Sequence, residues 1–124
     1  MSDDSIQAVI DHLVDGVPGV RGALIATIDG FVISSRLADE VEYDRPAIAA
    51  MSAAALGLAN RLVNLGGDAQ SRSCVARSTS AQVWVFAVGT AAVLTVIADA
   101  SADATRVERV GGEISAGLAD ALVR

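Results

Sequence analysis

The sequence predicts an α/β fold whose elements follow the order helix, two strands, helix, three strands and helix. Three observations support this prediction. The chain of 124 residues suffices for one hydrophobic core and not for two. Apolar residues recur at helical spacing in several segments, and runs rich in β-branched residues are separated by glycine-centred turn signals. We therefore expect one domain over residues 1–124, with a core of Val, Leu, Ile and Ala because only 3% of the residues are aromatic.

The first helix and the first hairpin have clear boundary signals. Residues 3–17 place apolar side chains at positions i, i+3, i+4 and i+7, and Pro18-Gly19 ends this pattern. Residues 20–28 and 31–37 are strand-like runs on either side of Asp29-Gly30, the strongest short hairpin signal in the chain. The sequence thus predicts an amphipathic helix followed by a β-hairpin.

The central segment, residues 46–65, predicts a helix with two apolar faces. Pro46 suits a first helical turn, and Gly66-Gly67 suits the end of a helix. One apolar stripe has the alternating spacing of a helix packed on a core, and it contains Ile48, Met51, Ala55, Leu58, Leu62 and Leu65. A second stripe contains Ala49, Ala53, Leu56 and Val63, and a narrow solvent-facing sector contains Ala50, Gly57, Arg61 and Asn64. The sequence leaves open which stripe faces the sheet, and the other stripe needs cover from outside the domain.

The remainder of the chain predicts an edge strand, a second hairpin and a last helix. Residues 69–77 alternate weakly and contain polar interruptions, which favours an edge strand. Residues 81–98 carry no charge, but their β-branched runs around Gly89-Thr90 favour a buried hairpin with a two-residue type II′ loop over a membrane helix. Ser101 is the expected cap of the last helix, in which Gly111-Gly112 would permit close packing on the sheet. Its expected core-facing residues are Val107, Val110, Ile114, Leu118 and Leu122.

Charge and composition argue against several classes of partner. The formal net charge is −6 and no basic patch is present, which opposes binding to nucleic acids or to anionic membranes. The single cysteine, Cys74, excludes an internal disulfide and fits a reducing compartment. The acidic N-terminus lacks the features of a signal peptide, so we expect a cytoplasmic protein without direct membrane insertion.

The inventory of reactive side chains argues against an enzyme. The chain contains no lysine, which excludes a P-loop lysine and a Schiff base. The only histidine, His12, falls opposite the apolar stripe of the first helix and is expected in solvent. Cys74 fits a small buried side chain better than a redox site. We therefore expect no catalytic residue, no metal site and no cofactor.

Three stretches of the chain have the layout of a known family. Residues 19–23 (Gly-Val-Arg-Gly-Ala), leading into residues 28–33 (Ile-Asp-Gly-Phe-Val-Ile), look like its opening hairpin. The stretch from Ile48 through Gly66-Gly67 looks like its central helix, and residues 93–99 look like its last strand. On these motifs the chain resembles the roadblock family, named for the dynein light chain roadblock, and in particular its bacterial members of the MglB type. The resemblance covers nearly the whole chain and lies in the order of elements rather than in a chemical signature.

The resemblance implies both a fold and an assembly. Family members have a profilin-like, five-stranded, mostly antiparallel sheet with two helices on one face and the central helix on the other. They form homodimers by placing the central helices side by side and joining edge strands. A dimer of this kind is expected to use Ala49, Ala53, Leu56, Leu58 and Val63 of the helix, with Ser71 and Ser73 of the edge strand.

The resemblance also implies a role, because roadblock proteins bind small Ras-like GTPases and in bacteria often work beside a sensor kinase. We therefore expect a non-enzymatic, homodimeric regulator or scaffold that modulates the nucleotide cycle or the placement of such a GTPase. Gly57, Arg61 and Asn64 are the expected partner-binding residues, because their sector would stay exposed in the dimer. Alternatively, the polar residues of this sector only keep the surface soluble, or Arg61 acts as an arginine finger on the GTPase. Alternatives for the whole chain are a small-ligand sensor module and a purely structural dimerisation adaptor.

Overall fold

Three helices and five strands make up a computed structural model that describes residues 3–38, 43–65, 67 and 72–122. The helices are α1 (Asp3–Gly16), α2 (Arg45–Asn64) and α3 (Ala104–Leu122). The strands are β1 (Val20–Thr27), β2 (Val32–Leu37), β3 (Ser73–Arg77), β4 (Ala81–Val88) and β5 (Ala92–Asp99). The predicted α/β class and order of elements are confirmed. The uncharged segment 81–98 forms the β4–β5 pair and not a helix.

The five strands form one sheet in the order β2-β1-β5-β4-β3, and each described pair of neighbours is antiparallel. The pairing of β1 with β5 joins the two hairpins, so the strands next to the chain's first and last helices occupy the middle of the sheet. Strands β2 and β3 are the two edges. As predicted, β3 is an edge strand, although residues 69–71 of the predicted strand lie outside the described residues.

Helices cover both faces of the sheet and bury a separate apolar cluster on each. Helices α1 and α3 lie on one face, where the cluster includes Ile10, Leu13, Ile25, Phe86, Leu94, Val107 and Leu118. Helix α2 lies on the other face, where the cluster is Leu24, Ala26, Ala49, Leu56, Val85 and Val93. Because successive strand residues point to opposite faces, a strand covered on both sides needs apolar residues at every position. This explains the unbroken buried run from Ala23 to Ala26 in β1.

The two hairpin turns follow the glycine signals, with one difference in loop length. Gly30 has a φ of +93° and donates its N–H to the Thr27 carbonyl at 3.0 Å, which closes the predicted Asp29-Gly30 turn. Gly89 also has a positive φ, +59°. Its loop, however, is longer than the predicted two residues, because Val88 pairs with Ala92 and residues 89–91 lie between them.

The caps of α2 and α3 are both aspartates. The Asp44 carboxylate accepts the Ala47 N–H at 3.1 Å, and Pro46 occupies the first turn of α2, as predicted. The Asp103 carboxylate accepts the N–H groups of Thr105 and Arg106, at 3.1 and 3.3 Å. The prediction of Ser101 as the α3 cap is therefore wrong, because the helix begins at Ala104 and the capping side chain comes from the residue just before it.

Gly111 is where α3 meets the sheet most closely. A Cβ atom built on this glycine would lie 2.4 Å from Phe86 Cζ and 2.5 Å from Cε2. The Phe86 ring is buried and stacks on Trp84 with 6.0 Å between ring centroids, so it has little room to yield. A Cβ on Gly112 would meet no described atom within 4 Å. Close packing was predicted for the pair, and only the first glycine provides it.

These two adjacent glycines give a matched test of the packing. We expect Gly111→Ala to destabilise the protein by about 1–3 kcal/mol, because the added methyl group overpacks the contact with Phe86. Gly112→Ala should instead stabilise it by about 0.5–1 kcal/mol, because alanine is the better helix former and open space receives the methyl group. Urea denaturation of both variants measures the two free energies of unfolding. Equal effects at both positions would contradict the close approach of α3 to Phe86.

Candidate interaction surface

Helix α2 meets the sheet of its own chain with two short side chains and one leucine. Ala49, Ser52 and Leu56 are 0%, 5% and 6% exposed, and Ala49 and Leu56 pack into the apolar cluster under the helix. The short Ala49 and Ser52 side chains let the helix axis approach the strands. The Thr95 hydroxyl of β5 donates a 2.6 Å hydrogen bond to the Ser52 hydroxyl, and both side chains are buried. This bond fixes α2 over the middle strand of the sheet.

The larger apolar residues of α2 point away from the sheet. Met51, Leu58, Leu62 and Leu65 are 63%, 59%, 68% and 85% exposed. We call these four residues the outer stripe. They belong to the stripe whose spacing resembles a core-packed face, so spacing alone indicates the wrong side. An exposed apolar strip of this kind is typical of surfaces that contact another apolar surface.

The expected dimer residues of α2 separate into two groups. Ala49 and Leu56 are a correction to the sequence prediction, because both are buried inside their own chain and have no surface to offer a partner. Ala53 is half-buried on the flank of the same face. Leu58 and Val63 are exposed, Leu58 within the outer stripe and Val63 towards the end of the helix.

The predicted partner-binding residues form a second exposed strip on α2. Gly57, Arg61 and Asn64 are all exposed, and Ala50 lies on the same side about two turns nearer the helix start. We call Ala50, Gly57, Arg61 and Asn64 the polar sector. A Cβ at Gly57 would meet no described atom within 4 Å outside its own helix, so the backbone there is open to close approach. Arg61 lies in the last turn, where a cation also interacts favourably with the helix dipole.

Strand β3 lies beside α2 and forms a partly covered edge of the sheet. Cys74 is half-buried against the apolar cluster under α2, and burial raises the pKa of its thiol. A raised pKa disfavours the thiolate, the form that reacts as a nucleophile. On the opposite face of β3, Val75 is 40% exposed, and the Arg77 guanidinium lies over the Trp84 ring at 5.8 Å from its centroid. Ser73 is half-buried, whereas Ser71 lies outside the described residues.

This arrangement of a sheet, three helices and an uncovered central helix matches a known family. The family model of the Roadblock/LC7 domain matches residues 6–98 of the chain, which is most of its length. The chain belongs to the Roadblock/LC7 domain family. A regulatory role through protein interaction, as in that family, is therefore assigned to it.

Solved structures agree with this assignment at the level of the fold. The Roadblock/LC7 domain from Streptomyces avermitilis is 22% identical with a TM-score of 0.85, over 95% of this chain and 98% of that one. Myxococcus xanthus MglB is 21% identical with a TM-score of 0.86, over 98% and 90%. Acanthamoeba castellanii profilin IA is 18% identical with a TM-score of 0.68, over 93% and 97%, in line with the predicted profilin-like fold. No curated protein sequence matches the chain significantly.

The other edge of this roadblock domain, β2, is protected by α1. Gln7 of α1 donates a hydrogen bond to the Ser35 carbonyl at 3.2 Å and accepts one from the Ser34 hydroxyl at 2.6 Å. Arg36 contacts Asp15 of α1 at 2.7 Å and holds the pKa of that carboxyl below its usual value. Side chains that occupy an edge strand in this way oppose its pairing with another strand. Of the two edges, β3 is therefore the one better suited to join a second sheet.

Two other features of the domain bear on the alternatives. An open groove of about 1020 Å³ runs beside α3 and is lined by residues of both charges, including Arg72, Glu108 and Arg109. It is a surface groove rather than the internal pocket that a small-ligand sensor needs. Among the described residues, α2 is long and apolar enough to cross a membrane by length and composition, a test that a helix packed on a sheet also passes.

The buried hydroxyl pair under α2 can be tested by a double-mutant cycle. Ser52→Ala should lower the free energy of unfolding by about 1–2 kcal/mol, because the Thr95 hydroxyl loses its partner inside the protein. Adding Thr95→Val should recover much of this loss, since no buried hydroxyl then remains unpaired. Urea denaturation of the two single variants and the double variant measures the coupling. Strictly additive losses would contradict the hydrogen bond as a determinant of the α2 position.

Proposed function

We propose that this roadblock domain, residues 1–124, forms a homodimer through the outer stripe of α2 and the β3 edge. We further propose that the dimer binds a small Ras-like GTPase without catalysing a reaction itself, and thereby modulates the nucleotide cycle or the placement of that GTPase. The observation that carries the proposal is the outer stripe, four large apolar side chains that are each more than half exposed on one helix face.

A two-fold dimer would cover both the outer stripe of α2 and the β3 edge of the sheet. The outer stripe needs an apolar surface, and the β3 edge has backbone groups suited to pairing with another strand. Helix α2 contacts β3 within the protomer, so one symmetric interface can cover both. A standard interface buries roughly 1,600 Å² in total, and the interfaces of obligate dimers are larger. An interface of this larger kind can include a helix and an edge strand from each protomer. MglB, a structural neighbour, has been solved in a tetrameric arrangement, which supports self-association as a property of this fold.

The polar sector is the part of α2 that the proposed dimer leaves for the GTPase. Gly57 lets a partner backbone approach, and the Arg61 guanidinium can donate to a carboxylate or a carbonyl group. Family membership supports a protein partner here over a metabolite. The structural adaptor remains the second candidate, and it differs in one respect: it predicts the same dimer without a GTPase complex.

The dimer is tested by placing a charge within the outer stripe. Leu58→Asp should give a folded monomer, because Leu58 is 59% exposed in the protomer while an unpaired carboxylate in the dimer interface is strongly unfavourable. Size-exclusion chromatography with light scattering gives the mass, and circular dichroism checks the fold. Ala116→Asp, at an exposed position on α3, is the matched control and should remain dimeric. A monomeric wild-type protein, or a dimeric Leu58→Asp variant, would contradict this interface.

The GTPase proposal is tested with the polar sector. We expect Arg61→Ala to leave the dimer intact and to weaken its complex with the GTPase encoded nearest its gene by about tenfold, a loss typical of an interface arginine. Arg109→Ala, another exposed arginine, should bind like the wild type. Binding is measured by calorimetry with the GTPase in its GDP and GTP-analogue forms, alongside the hydrolysis and exchange rates. Absence of a complex in both forms would refute GTPase binding and favour the adaptor.

A further inference from the structure

The tip of the β1–β2 hairpin carries a large exposed aromatic side chain. The chain has only four aromatic residues, two Phe, one Trp and one Tyr. Trp84 and Phe86 are buried in the core at 4% and 2% exposure, whereas Phe31 is 71% exposed. Its neighbours Ile28 and Val32 are 52% and 36% exposed. Three exposed apolar side chains at one turn are unusual in a protein that buries Trp84 and Phe86 in its core.

Folding of the hairpin does not require the Phe31 side chain. The turn is closed by backbone groups, because Thr27 N–H donates to the Phe31 carbonyl at 2.9 Å and the Phe31 N–H donates to the Thr27 hydroxyl at 3.1 Å. Gly30 supplies the positive φ that the turn needs. Any residue except proline offers the same backbone groups at position 31. The exposed ring therefore points to contact with another molecule.

The hairpin tip lies on the same side of α2 as the polar sector. A Cβ built on Gly30 would lie 3.8–3.9 Å from the Ala50 backbone and Cβ, so the turn packs directly beside Ala50. Ala50, Gly57 and Arg61 share one side of the helix, because offsets of seven and four residues return to nearly the same direction. The strand order places β1 and β2 on the opposite side of the sheet from β3. The tip is thus away from the β3 edge of the proposed dimer interface and beside the start of the polar sector.

We propose that the hairpin tip, residues 28–32, is the apolar half of the GTPase-binding surface, with Phe31 and Ile28 as its anchors. This inference rests on the proposed function. A stable protein complex covers about 800 Å² on each partner, which the four residues of the polar sector, one alanine, one glycine, one arginine and one asparagine, do not provide alone. The tip supplies an aromatic anchor, and Asp29 and Arg61 supply the charged rim that surrounds such anchors.

The charge of the chain favours a protein over a lipid surface as the occupant of the tip. Asp29 is exposed between Ile28 and Phe31, and the formal net charge is −6. Both features repel the anionic headgroups that would have to surround an inserted hairpin. A protein partner with an apolar pocket and a basic group nearby fits the same tip without repulsion.

The test measures the affinity of the full-length dimer for the GTPase encoded nearest its gene, in the nucleotide form that binds the wild type. Phe31→Ser and Ile28→Ser should each raise the Kd at least about tenfold, as expected for anchors at the centre of an interface. Phe31→Tyr should stay within about twofold, because it keeps the ring. Leu122→Ser, a partly exposed apolar residue at the end of α3, is the matched control and should bind like the wild type. Light scattering should give the same dimer mass for each variant.

The outcomes separate this inference from the function on which it rests. If the wild type forms no complex in either nucleotide form, the proposed function fails and this inference fails with it. If the wild type binds and Arg61→Ala weakens binding while Phe31→Ser binds unchanged, the inference alone is overturned. If Phe31→Ser loses the dimer, the tip is a contact between copies of this chain, which also overturns it. Binding of the wild type to phosphatidylcholine vesicles that Phe31→Ser abolishes would assign the tip to a membrane instead.

Discussion

The position of α2 on the sheet is the constraint on which the other surfaces depend. The helix can reach the strands because it meets them with Ala49 and Ser52, whose side chains are short, and because the Thr95 hydroxyl holds Ser52 at 2.6 Å. The approach leaves the larger side chains of α2 no place in the core, since the cluster beneath the helix is already filled by residues of β1, β4 and β5. The close approach of α2 to the sheet therefore explains why the large apolar residues of this helix lie on its outer face.

The two edges of the sheet differ in a way that limits how copies of the domain can associate. At β2, a glutamine from α1 bonds to both Ser34 and Ser35, and Arg36 is engaged by α1 carboxylates. At β3, α1 and α3 pack over other strands, and Val75 remains 40% exposed. Only the β3 edge of each protomer is therefore available for pairing with another strand. This favours a closed dimer over an open-ended array of sheets, which would need two free edges per protomer.

The order of elements could be predicted from the sequence because local signals are strong in this chain. Hairpin glycines, the apolar period of α1 and the uncharged β-branched runs each identify their element without tertiary information. The orientation of α2 could not be predicted, because both of its stripes are apolar and periodicity does not reveal which surface covers a stripe. The buried face contains Ser52, a polar residue whose hydroxyl is paired with the buried Thr95 hydroxyl, and the sequence does not reveal this pairing. Asp103 rather than Ser101 as the α3 cap is a smaller error of the same kind, since both are good capping residues two positions apart.

The angular arrangement of α2 explains how one helix can serve three neighbours. At about 100° per residue, the buried residues, the polar sector and the outer stripe point in directions roughly 120° apart. The sheet lies in the first direction, and the hairpin tip lies beside the second, because Gly30 is close to Ala50. In the proposed dimer the third direction belongs to a second copy. A partner on the polar sector would then touch a rigid element that is held by its own sheet on one side and by the other protomer on the next, and such a preorganised surface loses little conformational entropy on binding.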